Sequence, residues 1–210
     1  RDLLAGISSK EFYLNKVLPK HLAEAHIKGE IHIHDLDYLV FQEHNCELVD
    51  IETMLKGGCK IGNALMSEPN SVEVAVGHIV QIVASVSSNS FGGCTIPYID
   101  RALVSYIKKS FKKHYLNGLK YISGIENYDL KVIEHDDEEC QKRYPKAYKY
   151  ACDMTEESVK QAMQGLEYEI NSLSTINGQT PFVTITIGTE TSWEGRLVQK
   201  YVFKTRMSGF

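Results

Sequence analysis

The sequence predicts an α/β fold with long helical insertions, and three observations carry that prediction. Extended segments of period two occur near both ends of the chain, where Val183, Ile185 and Ile187 alternate with Thr184 and Thr186, and Ile31 and Ile33 alternate with Glu30, His32 and His34. Between them lie long stretches whose apolar residues recur every three to four positions. The resulting order is helix, strand, strand, several helices, strand, helix, which suits helices packed on a sheet. No repeat, low-complexity tract or flexible linker interrupts the 210 residues, so residues 1–210 read as one large domain or part of one. The chain starts at Arg1 rather than Met and is expected to be an excerpt of a longer protein.

Each element follows from local chemistry. Residues 10–28 form an amphipathic helix with Phe12, Leu14, Val17, Leu18, Leu22 and Ala25 on its apolar side, broken or restarted at Pro19 and closed by Gly29. Residues 30–35 alternate as a strand, placing His32 and His34 on one face, and residues 44–49 are a second extended candidate. Gly57, Gly58 and Gly62 mark a loop. Ser67 to Ser71 offers helix-start chemistry, so residues 72–86, though rich in β-branched side chains, are expected to be a buried helix touching more than one neighbour. Gly92 and Gly93 break the chain. Leu103, Ile107, Phe111 and Tyr115 set the apolar stripe of a helix over residues 100–116, with Gly118 as its stop. Residues 119–152 are polar and mixed in sign, with an acidic run at 136–139, and are expected to be a surface excursion. Asp153 and Glu156 resemble a capping box before a helix carrying Val159, Met163, Leu166, Ile170 and Leu173. Residues 177–181 turn into a strand over 182–187, and a last helix spans about 193–206.

Composition narrows the function classes. With 43% hydrophobic and 24% charged residues the chain can bury a sizeable core. A net charge of −4 argues against a broad nucleic-acid-binding surface, while a local cationic pocket for a small anion remains open. The most apolar run, near residues 72–86, carries Glu73, His78 and Gln81 and is too short to span a bilayer; with no signal-like segment, a cytoplasmic protein is expected. Five cysteines, Cys46, Cys59, Cys94, Cys140 and Cys152, form no CxxC pair, which speaks against a disulfide framework and against a structural zinc site in this stretch.

Several residue groups can carry chemistry. His32 and His34, followed by Asp35 and Asp37, can ligate a metal, hold a polar substrate, or satisfy loop backbone and each other. Cys46, in His44-Asn45-Cys46-Glu47, is either a small core residue or a reactive thiol whose neighbour Asn45 offers both donor and acceptor atoms to a substrate hydroxyl. Ser87 to Thr95, with Ser88, Asn89, Gly92 and Gly93, is either a helix end and turn or a place where backbone approaches a ligand. Lys108, Lys109, Lys112 and Lys113 form a solvated face or supply a phosphate contact. Arg206 to Phe210 looks like the short motif that carries a glycyl radical, but Gly209 ending an amphipathic helix is better explained as its C-cap.

Five segments, in order, resemble the anaerobic, glycyl-radical (class III) ribonucleotide reductases. They are Ile31 to Tyr38, His44 to Asp50 with its Asn-Cys pair, Gly62 to Pro69, Ser87 to Thr95, and Asn177 to Thr184 with its Gln-Thr-Pro-Phe start. The resemblance runs from about residue 10 to residue 210. It implies the first half of a ten-stranded α/β barrel, a homodimer, and reduction of ribonucleoside triphosphates to deoxyribonucleoside triphosphates. It implies further that a radical glycine, installed by a partner activase using S-adenosylmethionine and a 4Fe-4S cluster, oxidises a loop cysteine to a thiyl that removes the ribose 3′ hydrogen, with formate as reductant. The radical glycine, the thiyl-forming cysteine and a zinc-binding cysteine cluster are all expected outside these residues. Cys59, Cys94, Cys140 and Cys152 do not match the thiyl-forming context. On the same resemblance Cys46 serves the 2′ position as proton and hydrogen donor and Asn45 orients the ribose. His32, His34, Asp35, Ser88 and Asn89 contact substrate, and Glu68, Gln81 and Lys113 contact a deoxynucleotide or ATP effector; no metal is assigned to this stretch. Another glycyl-radical enzyme acting on a small organic substrate, or a non-catalytic nucleotide-binding regulator of the same fold, are the alternatives, with a metal-dependent hydrolase built on His32 and His34 a distant third.

Overall fold

The structure, a computed structural model, describes residues 2–39, 45–90, 92–174 and 180–209. The parts of the expected segments at His44 and at Asn177, Gly178 and Gln179 lie outside those residues. Helix α1 (Asp2–Phe12) runs into a π-helical turn at Tyr13–Val17, and α2 (Lys20–Ile27) follows. Strand β1 (Glu47–Leu48), helix α3 (Ile51–Gly57) and the strands β2 (Cys59–Ile61) and β3 (Ala64–Met66) come next. Then follow α4 (Val72–Ser87), β4 (Gly93–Ile96), α5 (Ile99–Ala102) and α6 (Val104–Asn117), which continues as a π-helical turn at Gly118–Ile122. The chain closes with α7 (Glu138–Arg143), α8 (Pro145–Ser172), β5 (Phe182–Ile185) and α9 (Trp193–Ser208). Among the described residues no helix is long and apolar enough to cross a membrane.

Strands β1, β4 and β5 form a parallel sheet in that order, with Glu47 opposite Cys94 and Cys94 opposite Val183. Parallel neighbours need long crossovers, and the helices supply them, which makes the mixed helix–sheet architecture the α/β arrangement the sequence predicts. The pairing extends past β5, where Thr186 N donates to Ile96 O and Ile99 N donates to Thr186 O.

Helices α4, α6, α8 and α9 pack together beside this sheet. Ser71 caps α4 by accepting from Val74 N, and the helix buries Val72, Ala75, Val76, Ile79, Val80, Ile82 and Val83 against α8, α6 and β4. This is the many-sided burial expected of so apolar a run. Leu103, Ile107, Phe111 and Tyr115 are all fully buried, as their spacing predicts. Asp100, also fully buried, accepts from Gly188 N, Glu190 N, Gln199 Nε2 and Arg101 N. Burial alone would raise its carboxyl, but the four hydrogen bonds outweigh that and hold it below the usual carboxylate range. The buried anion thereby fastens α5 to the loop that enters α9.

Six expectations are corrected. Residues 30–35 form turns rather than a strand, because no neighbouring strand among the described residues takes their backbone hydrogen bonds. Ile33 N donates instead to His26 Nδ1, Tyr38 N to Asp35 O, and Asp35 adopts φ +52°. The predicted apolar side of residues 10–28 leaves Phe12, Val17 and Leu22 exposed, although the break at Pro19 and the closure at Gly29 (φ +76°) stand. Gly57 to Gly62 belongs to a helix end and a hairpin, β2 and β3, rather than a plain loop. Gly118 does not stop α6: its missing side chain makes room for α8, since a Cβ there would lie 3.0 Å from Ala147 Cα. Finally, Asp153 lies inside α8, which starts eight residues earlier with Pro145 in its first turn, and pairs with Lys149 one turn back. The 119–152 stretch is likewise more than a surface excursion. It contributes Leu119, Ile133, Cys140, Ala147 and Ala151 to a second core around Phe111 and Tyr115.

Candidate functional site at the leading edge of β1 and β4

Asn45 and Cys46 immediately precede β1, and Gly92 and Gly93 open β4 beside them. The register that sets Glu47 opposite Cys94 carries Cys46 to Gly93 one step earlier. The Gly93 N–H points at the Cys46 sulfur across 3.4 Å, within the range of a sulfur hydrogen bond. The Cys46 thiol in turn faces Asn45 Oδ1 at 3.5 Å, and Cys46 is exposed. A backbone N–H on one side and an amide oxygen on the other give this thiol two fixed polar neighbours, unlike the core residue a lone strand cysteine usually becomes.

Gly92 is required here by space. A Cβ on it would sit 2.1 Å from both the carbonyl oxygen and Oδ1 of Asn45, closer than atoms can approach. Gly92 therefore lets β4 close on the Asn-Cys pair. The group that Gly92 admits is Asn45 of this chain.

The turn at residues 30–39 adds the next layer. Asn45 Nδ2 donates to Asp35 Oδ2 at 3.0 Å, and His34 Nε2 lies 3.2 Å from the same oxygen. The rings of His32 and His34 are 5.8 Å apart, and His26 and His32 are separated by the same distance. His32 and His34 thus lie side by side even though the segment is not a strand. Among the described residues no group of three or more His, Cys, Asp or Glu side chains is arranged to hold a metal ion.

Cys94 alternates to the opposite side of β4. It is 1% exposed, and burial, helped by the Glu47 carboxylate, pushes its thiol up to about 11. That makes it a core residue without nucleophilic character at neutral pH.

Ser88 and Asn89 match the helix-end alternative for their segment. Ser88 Oγ donates to Ala84 O and Asn89 Nδ2 to Ser85 O, both at 2.8 Å, so these side chains fold back on the end of α4. Ser90 repeats the pattern toward Val86 O. Glu68, Gln81 and Lys113 lie on the α4–α6 side of the molecule. Glu68 pairs with Lys109, which also donates to Pro69 O, while Gln81 and Lys113 are exposed. A groove of about 770 Å³ between α8 and α9, lined by Lys160, Tyr168, Tyr201 and Lys204 among others, includes none of the expected site residues. Gly209 closes α9 at φ +75°, the C-cap geometry expected of it.

The arrangement has relatives among known proteins. The anaerobic ribonucleoside-triphosphate reductase of Haemophilus influenzae is 42% identical over 211 residues, which is 100% of this chain and 27% of that protein. Those of bacteriophage T4 and Escherichia coli are 41% and 40% identical, with 31% and 26% of their lengths covered. The chain therefore spans between about a quarter and a third of the length of these relatives. The crystal structure of the anaerobic ribonucleotide reductase from Thermotoga maritima in complex with dATP and CTP superposes with a TM-score of 0.55 at 15% identity, over 96% of this chain and 30% of that one. The description anaerobic ribonucleoside-triphosphate reductase fits residues 1–210 from end to end, and the chain belongs to that family.

Proposed function

We propose that this chain forms part of an enzyme that reduces ribonucleoside triphosphates to deoxyribonucleoside triphosphates by radical chemistry, and that its Asn45–Cys46 corner meets the ribose. The observation that carries the proposal is the exposed Cys46 thiol held between Gly93 N–H and Asn45 Oδ1 at the mouth of a parallel sheet. Substrates of open α/β sheets bind at strand ends, although commonly at the carboxyl ends, whereas this corner stands at the amino ends of β1 and β4. A thiol can hold a proton for a leaving 2′-hydroxyl, and its weak S–H bond suits hydrogen transfer. Asn45, with one amide edge on Asp35, keeps its remaining donor and acceptor capacity for a hydroxyl. His32 and His34 stand beside it as further polar contacts, with Ser88 and Asn89 at the end of α4 as outer candidates.

A glycyl radical, held on a part of the protein beyond these residues, supplies the one-electron oxidation that starts such chemistry, and formate supplies the reducing equivalents. Family membership supports a fuller assignment that we propose with it: a ten-stranded barrel, a homodimer in the cytoplasm, a radical-installing activase that uses S-adenosylmethionine and a 4Fe-4S cluster, zinc held elsewhere, and deoxynucleotide or ATP effectors at Glu68, Gln81 and Lys113.

The test uses the full-length protein, prepared without oxygen and activated by its partner. Deoxynucleotide formation from a ribonucleoside triphosphate with formate is compared between wild type and Cys46→Ser. Product from wild type and none from the variant, with the glycyl radical still visible by electron paramagnetic resonance, is the expected result. Equal product from both removes Cys46 from the chemistry. No product from radical-loaded wild type overturns the reductase assignment.

A further inference from the structure

Asp35 stands out by its conformation as well as its contacts. It is one of two described non-glycine residues with positive φ, at +52°, a backbone state that costs energy for most side chains and that Asp and Asn tolerate best. The strain aims its carboxylate at the Asn-Cys pair. Oδ2 accepts from Asn45 Nδ2 at 3.0 Å and lies 3.2 Å from His34 Nε2, which donates to it when that nitrogen carries the proton. One carboxylate oxygen therefore joins the turn that carries His34 to the corner that carries Cys46.

The consequence is an orientation. An asparagine amide can present either its oxygen or its NH2 to a neighbour, and rotation about its last bond exchanges them. With NH2 committed to Asp35, only Oδ1 remains to face the Cys46 thiol, and it does so at 3.5 Å. Gly92 leaves the room the amide needs, because Asn45 O and Oδ1 fill the space a side chain at residue 92 would take. An acceptor facing the sulfur engages the S–H hydrogen, whereas a rotated amide would present a second N–H beside that of Gly93 and leave that hydrogen without a partner there.

We infer that Asp35 is a positioning residue: through Asn45 it fixes the amide orientation that presents Oδ1, rather than NH2, to the Cys46 S–H. The inference rests on the function proposed above for Cys46, but its test does not need turnover.

The readout is the rate at which iodoacetamide alkylates Cys46 in the full-length protein without activation, followed by mass spectrometry of the Cys46 peptide at neutral pH. Asp35→Gly removes the carboxylate and relaxes the positive φ, so it avoids added backbone strain. It is expected to speed alkylation about fivefold, the effect of one ordinary hydrogen bond. In an Asn45→Ala background the same change should alter the rate less than about twofold, since a residue acting through a partner loses its effect when the partner is gone. Asp35→Asn keeps an acceptor and tolerates the backbone, and should stay near the wild-type rate. Equal acceleration in both backgrounds would show the carboxylate acting directly on the thiol and would overturn the inference, as would no acceleration in either. Asp35→Asn behaving like Asp35→Gly would equally remove the acceptor role. If activated wild type makes no deoxynucleotide while the alkylation pattern holds, the proposed function fails and the positioning role stands.

Discussion

Ile107 and Asn45 are fixed in place by opposite means. Ile107 sits in the helical layer with no exposed surface, in the same core as Val76, Ile79, Val159 and Met163, on a helix that packs against α4, α8 and α9 through undirected contacts. Asn45 is exposed at the sheet mouth and is held by one hydrogen bond to Asp35 and by the missing side chain of Gly92. Packing of the first kind is redundant, because each side chain touches many others and small errors are shared. Positioning of the second kind has almost no redundancy. The molecule thus places a well-buttressed interior behind a corner whose geometry depends on a few polar contacts, and substitutions in the two regions should fail in different ways.

The largest expected effect tests the first region. Ile107→Ala removes fully buried methyl and methylene groups from the main core and should lower stability by about 2–5 kcal/mol, depending on how far α4 and α8 collapse into the space. Urea unfolding would measure it. If the two regions are held independently, the alkylation rate of Cys46 in the folded variant stays at the wild-type value. A change in that rate at conditions where the protein remains folded would show that the corner leans on the helical layer.

The same contrast explains what was legible in the sequence. Helical periodicity marked Leu103, Ile107, Phe111 and Tyr115, all fully buried, because a repeated pattern survives local exceptions. The alternation of residues 30–35 misled because period two describes side-chain direction but not the presence of a partner strand, and among the described residues there is none. Gly118 misled because a glycine can mark a close helix approach as well as a helix end, and Ala147 is the group that approaches. At the site, the Asn45–Cys46 pair and the Gly92–Gly93 pair were each visible as motifs. Their meeting depends on a parallel register between segments 47 residues apart, which no local pattern encodes. The link through Asp35 was invisible for the same reason, since it needs the turn the sequence had presented as a strand.

A second, smaller effect tests the corner. Gly92→Ala adds one carbon where Asn45 O and Oδ1 already lie, so backbone must move to admit it. The stability cost should be about 1–3 kcal/mol, typical of overpacking. The local effect should be larger than the global one: Asn45 moves, and both the alkylation rate of Cys46 and any deoxynucleotide formation change while the unfolding transition stays cooperative. If Gly92→Ala lowers stability as much as Ile107→Ala and leaves Cys46 unchanged, the corner is part of the packed body and the contrast between the two regions collapses.

The smallest effect concerns a half-buried polar side chain packed against the second core. His135 stacks on Trp193 with ring centroids 3.9 Å apart and 3° between planes, and meets the edge of Phe111 at 6.0 Å. Burial pushes its imidazole below the ordinary value of 6.5, against the pull of the Glu194 and Asp136 carboxylates. The folded value lies under the unfolded one, so the unfolded chain takes up the proton first as pH falls. The stabilising difference is therefore present above pH 6.5 and is lost progressively below it, until the folded imidazole also titrates. His78 and His114 are shifted downward too, chiefly by burial, and act with the same sign. Thermal unfolding followed between about pH 7.5 and about pH 5.5 should show stability falling with acid, and His135→Phe, which keeps the stacking surface and removes the titrating group, should flatten that fall in part. An unchanged slope in the variant would mean that His135 is as free to take a proton in the fold as in the unfolded chain. The stacking on Trp193 would then be a contact that opens readily, and the second core around Phe111 would belong with the lightly held corner rather than with the layer that buries Ile107.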